Sequence, residues 1–312
     1  MFRRVIILIV VWMSTFVVLA QQEAMFTHYM YNTLSINPAY AGSREALTIT
    51  ALHRSQWVGF YGAPVTETLT LHAPMFRDAF NLGFSFINDK IGPVNNTGLF
   101  LDYAFRVSLS KKSKLALGLN MGFNTYSFDL ANLSAVNNLD NHISQNENSI
   151  LPNVGFGVYY STEYFYAGLS TPKIFENNYH YSTSTLWDNF SIEKQHYYLI
   201  LGGLIPLNND IKLKPTSYFK VTQNVAIEAD FTTEFFFNDK YSLGVMYRTG
   251  DALGVLIGFS VTDQLNVGYS FDWSFVNETA TYNYGSHEIM LRYDFKSKRK
   301  KRFSSIKSFC RF

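Results

Sequence analysis

Alternation with a period of two runs through this chain almost from end to end. Between residues 99 and 109, Leu99, Leu101, Tyr103, Phe105, Val107 and Leu109 take one set of alternate positions, and Phe100, Asp102, Ala104, Arg106 and Ser108 the other. Leu115, Leu117, Leu119, Met121 and Phe123 alternate in the same way with Ala116, Gly118, Asn120, Gly122 and Asn124. Leu265, Val267, Tyr269, Phe271 and Trp273 alternate with Asn266, Gly268, Ser270, Asp272 and Ser274. Successive side chains of a strand point to opposite faces, so each stretch presents one apolar and one polar face. A helix would instead mix Asp102 with Phe105 and Arg106. Fourteen segments carry the pattern, near residues 44–53, 65–73, 79–87, 97–109, 114–126, 153–161, 164–170, 195–205, 211–221, 225–236, 240–248, 252–261, 264–274 and 286–295. The weakest are 164–170, 195–205 and 211–221; Pro215 interrupts the last, and a central strand seldom accepts proline.

The solvent that meets the apolar faces decides the fold. A soluble sandwich, or two seven-stranded domains, would also alternate, with one face buried and one wet. A wet face carries Lys and Glu, whereas the polar faces here are rich in Gly, Ser and Asn. Charged residues are 16% of the 312, against roughly 25% in soluble domains. Aromatics reach 17%, with 28 Phe, 21 Tyr and 4 Trp, yet nothing beyond the N-terminus approaches a spanning helix. That N-terminus places Arg3 and Arg4 before an apolar run from Val5 to Ala20, with Ala20 and Gln21 flanking a cleavage point. The run is short for a span, which takes roughly 20 residues, and reads as an export signal. Connections alternate between long and short for the first eight strands, as outer-membrane barrels alternate outer loops with periplasmic turns.

The expected fold is therefore all-β: an outer-membrane barrel of about fourteen antiparallel strands. Residues 1–20 form the signal peptide, 21–43 a periplasmic or lumen segment, 44–295 the barrel, and 296–312 a basic tail. By strand parity both ends of the barrel lie on the periplasmic side. Asp102, Arg106, Glu228, Asp230, Arg248, Arg292 and Asp294 should point inward, because a basic group facing lipid costs roughly 2–4 kcal/mol at mid-bilayer. Wall side chains alone leave such a barrel's lumen open to water. Gln22 to Gly42 is the stretch available to plug it, although nothing in the sequence shows that it does.

The last strand, with Ile289, Leu291, Tyr293 and Phe295 on its apolar face, must pair with the first to remove both edges. Tyr293 and Phe295 resemble the closing-strand signal read by outer-membrane insertion machinery. Lys296, Lys298, Arg299, Lys300, Lys301 and Arg302 follow it directly. A nucleic-acid role conflicts with export; the run reads as a solvated tail, with a docking arm for an acidic partner or anionic headgroups as the sharper alternative. Formal charge is only +2, and no nucleic-acid partner is expected. Cys310 is the only cysteine, so no internal disulfide forms. The seven histidines are dispersed, and HExxH, CxxC, GxSxG and a phosphate loop are all missing from the sequence. No enzyme, cofactor or metal site is expected.

Several motifs narrow this further. "NPAYAGSREAL" at 37–47, "HRSQWVGFYGAPVTETLTLHAP" at 53–74 and "FINDKIGPVNNTGLFLDYAFR" at 86–106 resemble the PorP/SprF family of outer-membrane proteins of the type IX secretion system in Bacteroidota. "LALGLNMGFN", "LPNVGFGVYY", "LSTPKIFEN", "IKLKP", "YRTGDALG" and "SHEIMLRYDF" follow in the family's order, so the resemblance spans residues 21–295. It implies a non-enzymatic component of protein secretion, and often of gliding motility. Implied partners, besides outer-membrane lipids, are periplasmic ring lipoproteins, a peptidoglycan-binding protein and, for some members, a large secreted adhesin. The alternative is a passive porin or small-molecule transporter. Partner-facing candidates are Arg54, Gln56, Trp57, Gly59 and Phe60 on the first loop, with Gly62 and Pro64 setting its turn. Asn88, Asp89, Lys90, Gly92 and Pro93 are candidates on a second loop folded with the first over the barrel mouth. Trp57 and Phe60 fit an interfacial aromatic girdle equally well.

Overall fold

The computed structural model describes residues 23–75, 79–129, 147–177, 194–223, 225–275 and 283–295. The export signal, its cleavage point at Ala20 and Gln21, and the basic tail lie outside the described residues. Fourteen antiparallel strands form the wall. They are β1 (Leu47–Ser55), β2 (Val65–Pro74), β3 (Phe80–Ile91), β4 (Val94–Ser108), β5 (Lys114–Phe128), β6 (Glu147–Ser161) and β7 (Phe165–Thr171). There follow β8 (His196–Gly203, resumed at Ile205–Pro206), β9 (Ile211–Thr222), β10 (Glu228–Phe237), β11 (Tyr241–Arg248), β12 (Ala252–Ser260), β13 (Leu265–Ser274) and β14 (Ser286–Phe295).

Each strand pairs with its sequence neighbours, and β14 pairs with β1 from Leu47↔Phe295 to Ser55↔His287. The ring is closed, which is how a sheet crosses a bilayer without unpaired edges. Pro215 explains the break in β8. The ladder pairs Thr216 with Gly202 and Leu213 with Ile205; Pro215 falls in the gap between and brings no N–H to it. Toward β10 the ladder runs on unbroken through Pro215↔Thr233.

The alternation maps onto outside and inside. Leu101, Leu119, Met121, Val245 and Ile257 are exposed on the outer face, whereas Asp102, Arg106, Asp230, Arg248 and Arg292 are buried within the barrel. Asp294 and Glu228 also face inward, toward Arg44 and Lys220. One rim carries short turns at 75–79, 109–113, 162–164, 207–210, 238–240 and 261–264. The other carries longer connections at 56–64, 129–146, 172–195 and 275–285, which mark the extracellular side.

The expected second loop is instead a hairpin. β3 and β4 continue to Ile91 and Val94 and turn over Gly92 and Pro93, with Gly92 at φ 56°. Asn88, Asp89 and Lys90 are ladder residues opposite Thr97, Asn96 and Asn95. The segment reads as a loop because it is polar on both faces, but a strand rising above the bilayer is wet on both faces.

The lumen is filled. Residues 23–44 run through it from the extracellular mouth to the periplasmic mouth, with short 3-10 turns at Thr33–Ser35 and Pro38–Tyr40. Phe26, Tyr29, Met30, Tyr31, Leu34, Ile36, Ala39 and Tyr40 are all buried, and with wall residues such as Tyr159, Tyr218, Met246 and Met290 they form the apolar core.

Candidate functional site: the plugged lumen and its outer rim

The plug descends against successive strands, and its anchors follow that order. At the extracellular mouth Lys173 Nζ lies 2.7 Å from the Glu23 carboxylate, His196 Nδ1 lies 3.9 Å away, and the Tyr198 hydroxyl donates to it. Burial alone would raise the Glu23 carboxyl, but Lys173 and then His196 outweigh it and hold the group well below the usual carboxylate range.

The next tier is a buried ionic network. Glu288 accepts from the Thr27 and His28 backbone amides at 2.8 and 2.7 Å, and from His28 Nδ1 at 2.7 Å. Thr27 Oγ1 donates to Asp272 at 2.6 Å, and Arg54 Nη1 bridges Thr27 Oγ1, Asp272 and Glu288 at 2.9, 2.8 and 3.2 Å. Arg248 grips Asp230 through Nε and Nη2 and reaches the Phe26 carbonyl. Three fully buried wall carboxylates, Asp230, Asp272 and Glu288, thus face two wall guanidiniums, and the plug adds the His28 ring. Buried charge is tolerated only when paired and hydrogen-bonded, so plug and wall complete each other.

Midway, Asn32 bonds Thr68 and Thr70, both at 2.8 Å, and the Tyr31 hydroxyl donates to Glu234 at 2.8 Å under the Lys214 ammonium. Tyr29 stacks on Tyr218, which stacks on Tyr198. Lower down, Asn37 accepts from the Ala39 amide and donates to the Val158 carbonyl. Gly118 makes room for this turn: a Cβ there would sit 2.1 Å from Ala39 N. At the periplasmic mouth Arg106 donates to the Ala41 and Gly42 carbonyls, both at 2.9 Å, and Arg44 forms a two-pronged pair with Asp294 at 2.8 and 2.7 Å.

Besides the hairpin at Asn88–Pro93, the first loop departs from the sequence reading in one residue. Arg54 belongs to β1, not the first loop, and its side chain points into the lumen. Gln56, Trp57, Gly59, Phe60, Gly62 and Pro64 do lie on the connection at 56–64. Backbone bonds fix that loop: Gln56 N to Pro64 O, Val58 N to Gly285 O, Tyr284 N to Val58 O, and Gly92 N to Gly62 O. The last joins the loop to the Gly92–Pro93 turn, so the two candidate segments touch. Gly59 and Gly62 take φ 94° and 74°, and Trp57 takes φ 48°, a conformation rare outside glycine. Val58, Phe60 and Tyr61 are exposed at the tip beside Tyr284, with Tyr61 at 100% and Tyr284 at 78%. Tyr61 and Tyr284 escaped the sequence reading, although their spacing beside Gly and Pro turns was visible. Tyr293 and Phe295 pack edge to face at the periplasmic end of β14.

A closed fourteen-stranded ring plugged by its own N-terminal segment is the frame for the comparisons. The model of the type IX secretion system membrane protein PorP/SprF matches residues 18–293. The chain belongs to the PorP/SprF family. Its outer-membrane, multi-pass location follows from the barrel and this membership. No curated protein sequence matches it. Among solved structures it is similar to the CymD monoaromatic hydrocarbon channel, with TM-score 0.51 and 12% identity over 86% of this chain and 93% of that one. It is also similar to a Pseudomonas aeruginosa FadL homologue, with TM-score 0.48 and 11% identity over 83% and 93% of the two chains. At 12% identity the likeness to the hydrocarbon channel is one of fold alone. PorP/SprF membership ties this barrel to secretion-system components.

Proposed function

We propose that this PorP/SprF barrel is a non-enzymatic partner-binding component that supports export or cell-surface attachment of secreted proteins of the gliding-adhesin type. The observation that carries this reading is the lumen filled from mouth to mouth by residues 23–44. A passive porin needs a continuous aqueous path, and the buried plug with its ionic network speaks against one here. With diffusion through the lumen blocked, the surfaces left to act are the two rims. The extracellular rim offers an exposed apolar tip, Val58 with the aromatics Phe60, Tyr61 and Tyr284, near an outward His53–Glu67 pair. Phe and Tyr carry only two side-chain torsions each, so ordering them on a partner costs little entropy, and the bonded backbone presents them in one place. Periplasmic ring lipoproteins and a peptidoglycan-binding protein are the partners proposed for the opposite rim.

The test is capture from detergent-solubilised outer membranes with identification of bound proteins by mass spectrometry. It is done for the parent and for Phe60→Ala combined with Tyr61→Ala. The variant should assemble normally and lose surface retention of the secreted client. Full retention with both replaced refutes the rim as the client contact. Liposome swelling by small solutes with the parent protein would refute the closed barrel and favour the porin.

A further inference from the structure

The lipid-facing belt is not of even height. On β13 five outward positions are apolar, Leu265, Val267, Tyr269, Phe271 and Trp273. On β1 the outward set starts from the same rim with Leu47, Ile49 and Ala51 but turns polar at His53 and Ser55. On β2 it runs through Ala73, Leu71 and Leu69 and turns polar at Glu67. A tilted strand gains about 2.5 Å of height per residue, so on β1 the upper edge of the belt drops by about 10 Å. The groups in this gap face outward, with side-chain exposures of 49% for His53 and 53% for Glu67. His53 Nδ1 lies 3.2 Å from Glu67 Oε1, and His53 Nε2 lies 3.2 Å from Ser55 Oγ. On β14 His287 Nδ1 and the Tyr269 hydroxyl are 2.7 Å apart, which leaves Nε2 for a partner. The second Glu67 oxygen has no partner among the described residues. Acyl chains supply none, and a polar group left unpaired in hydrocarbon is costly.

Register sets where these groups stand around β1. Ser55 pairs with His287 on one side, and His53 pairs with Glu67 on the other. Those two rows are two residues apart along β1. A row of paired residues also climbs as it passes round the ring. Ala51 lies four residues above the periplasmic end of β1 at Leu47. Its row runs through Leu69, Phe86, Leu99 and Phe123 to Pro152, nine residues above the periplasmic end of β6 at Ser161. The climb is five residues over five ladders, or one residue per strand. Glu67 and His287 are two strands apart, so the climb cancels the two-residue difference. They lie at one depth, on either side of β1.

We infer that this face docks a second copy of the chain, through a two-fold axis that runs along the membrane normal and passes at β1. Two identical barrels that face the same way in a membrane and meet through the same surface are related by such an axis. It sets Glu67 of each copy against His287 of the other, so the unpaired carboxylate oxygen meets the remaining imidazole nitrogen twice. Ala51, the smallest outward side chain of β1, lies beside the axis and lets the two walls approach closely. The first loops continue directly from Ser55, so the pairing brings the two exposed Tyr61 tips onto one double surface. The inference concerns the lipid face and stands whether or not those tips bind a client.

The test uses the full chain assembled in outer membranes with Cys310→Ser. Ala51→Cys should be joined into a dimer by a short bifunctional maleimide. Leu169→Cys, exposed on the opposite side of the ring, should not. Ile49→Cys takes the place of Ala51→Cys should that variant fail to assemble. Glu67→Leu extends the apolar belt without touching the lumen, and it should lower the linked fraction about tenfold, as should His287→Leu. The exchange Glu67→His with His287→Glu should restore linking. Absence of a link at both β1 positions, equal linking at Leu169, or Glu67→Leu linked like the parent overturns the pairing. So does a monomer in native mass spectrometry that carries an outer-leaflet glycolipid lost in Glu67→Leu, which would give the patch to lipid instead.

Discussion

Replacing Glu288 with Gln should loosen the outer half of the plug while leaving the barrel closed. Glu288 is completely buried and accepts three bonds from the plug, from Thr27 N, His28 N and His28 Nδ1, besides its pair with Arg54. The carboxamide keeps one acceptor oxygen and presents an N–H₂ where the other was, so at least one plug donor loses its partner. An orphaned buried donor costs about 1–3 kcal/mol, and removing one member of a buried ion pair about 3–5 kcal/mol. The effects overlap, so about 3 kcal/mol is the working figure, equivalent to roughly a hundredfold in a local opening equilibrium. Hydrogen exchange of the peptide spanning Phe26 to Leu34 reads this directly, because exchange of a docked amide follows its opening. The Thr27 and His28 amides should exchange about a hundredfold faster in the variant. Glu67→Gln, in the solvent-exposed pair with His53, is the matched control and should change nothing. An acceleration under threefold at Thr27 and His28 would refute the ionic network as the plug's anchor.

Other outcomes follow from the same geometry. Deleting residues 23–42 should convert the closed barrel into a conducting one in planar bilayers, and a silent deletion variant that still runs as a folded barrel would contradict the plug. Gly118→Ala drives a Cβ into the Ala39 amide and should expel the turn at Pro38–Tyr40, seen as protease cleavage near Asn37 in an otherwise intact barrel. The Glu23–Lys173 pair has a definite sign with pH. Its carboxyl is depressed in the folded protein, so its contribution is full above the ordinary value of 4.5 and is lost only as pH falls through the lower folded value. Lys173, His196 and Tyr198 face it directly, with Lys220, Glu228 and Asp89 beyond. Docking of the plug's outer end should therefore be the same at pH 7 and pH 5, read by hydrogen exchange at Thr27 and His28, and its release at pH 5 would contradict the pairing.

The wall was legible in the sequence because a bilayer outside and a packed lumen inside impose a strict period of two. All fourteen expected segments are strands, and even the weak stretch at Pro215 is one, its proline sitting where β8 is interrupted. The hairpin at Asn88–Pro93 misled because above the membrane neither face needs to be apolar. Arg54 misled by one step: continuing the inward set Thr48, Thr50 and Leu52 places it in the lumen, but the expected strand stopped at His53. The plug has no periodicity to read, since its side chains are surrounded on all sides. Its signal was composition: between Glu23 and Arg44 there is no Asp, Glu, Lys or Arg, too little charge for an exported segment left in water. The short β7 had no signal beyond a weak strand followed by Pro172.

The direction in which the plug threads the barrel bears on when the protein can mature. Glu23 rests at the outer mouth of the outer membrane, and only Gln21 and Gln22 separate it from the apolar run that ends at Ala20. Two extended residues span roughly 7 Å, far short of the way back across the barrel to the periplasmic side. Were the apolar run the export signal expected from the sequence, a chain still tethered by it could not seat Glu23, and the lumen would close after its removal. On that expectation cleavage would time the closing of the lumen as well as release the chain.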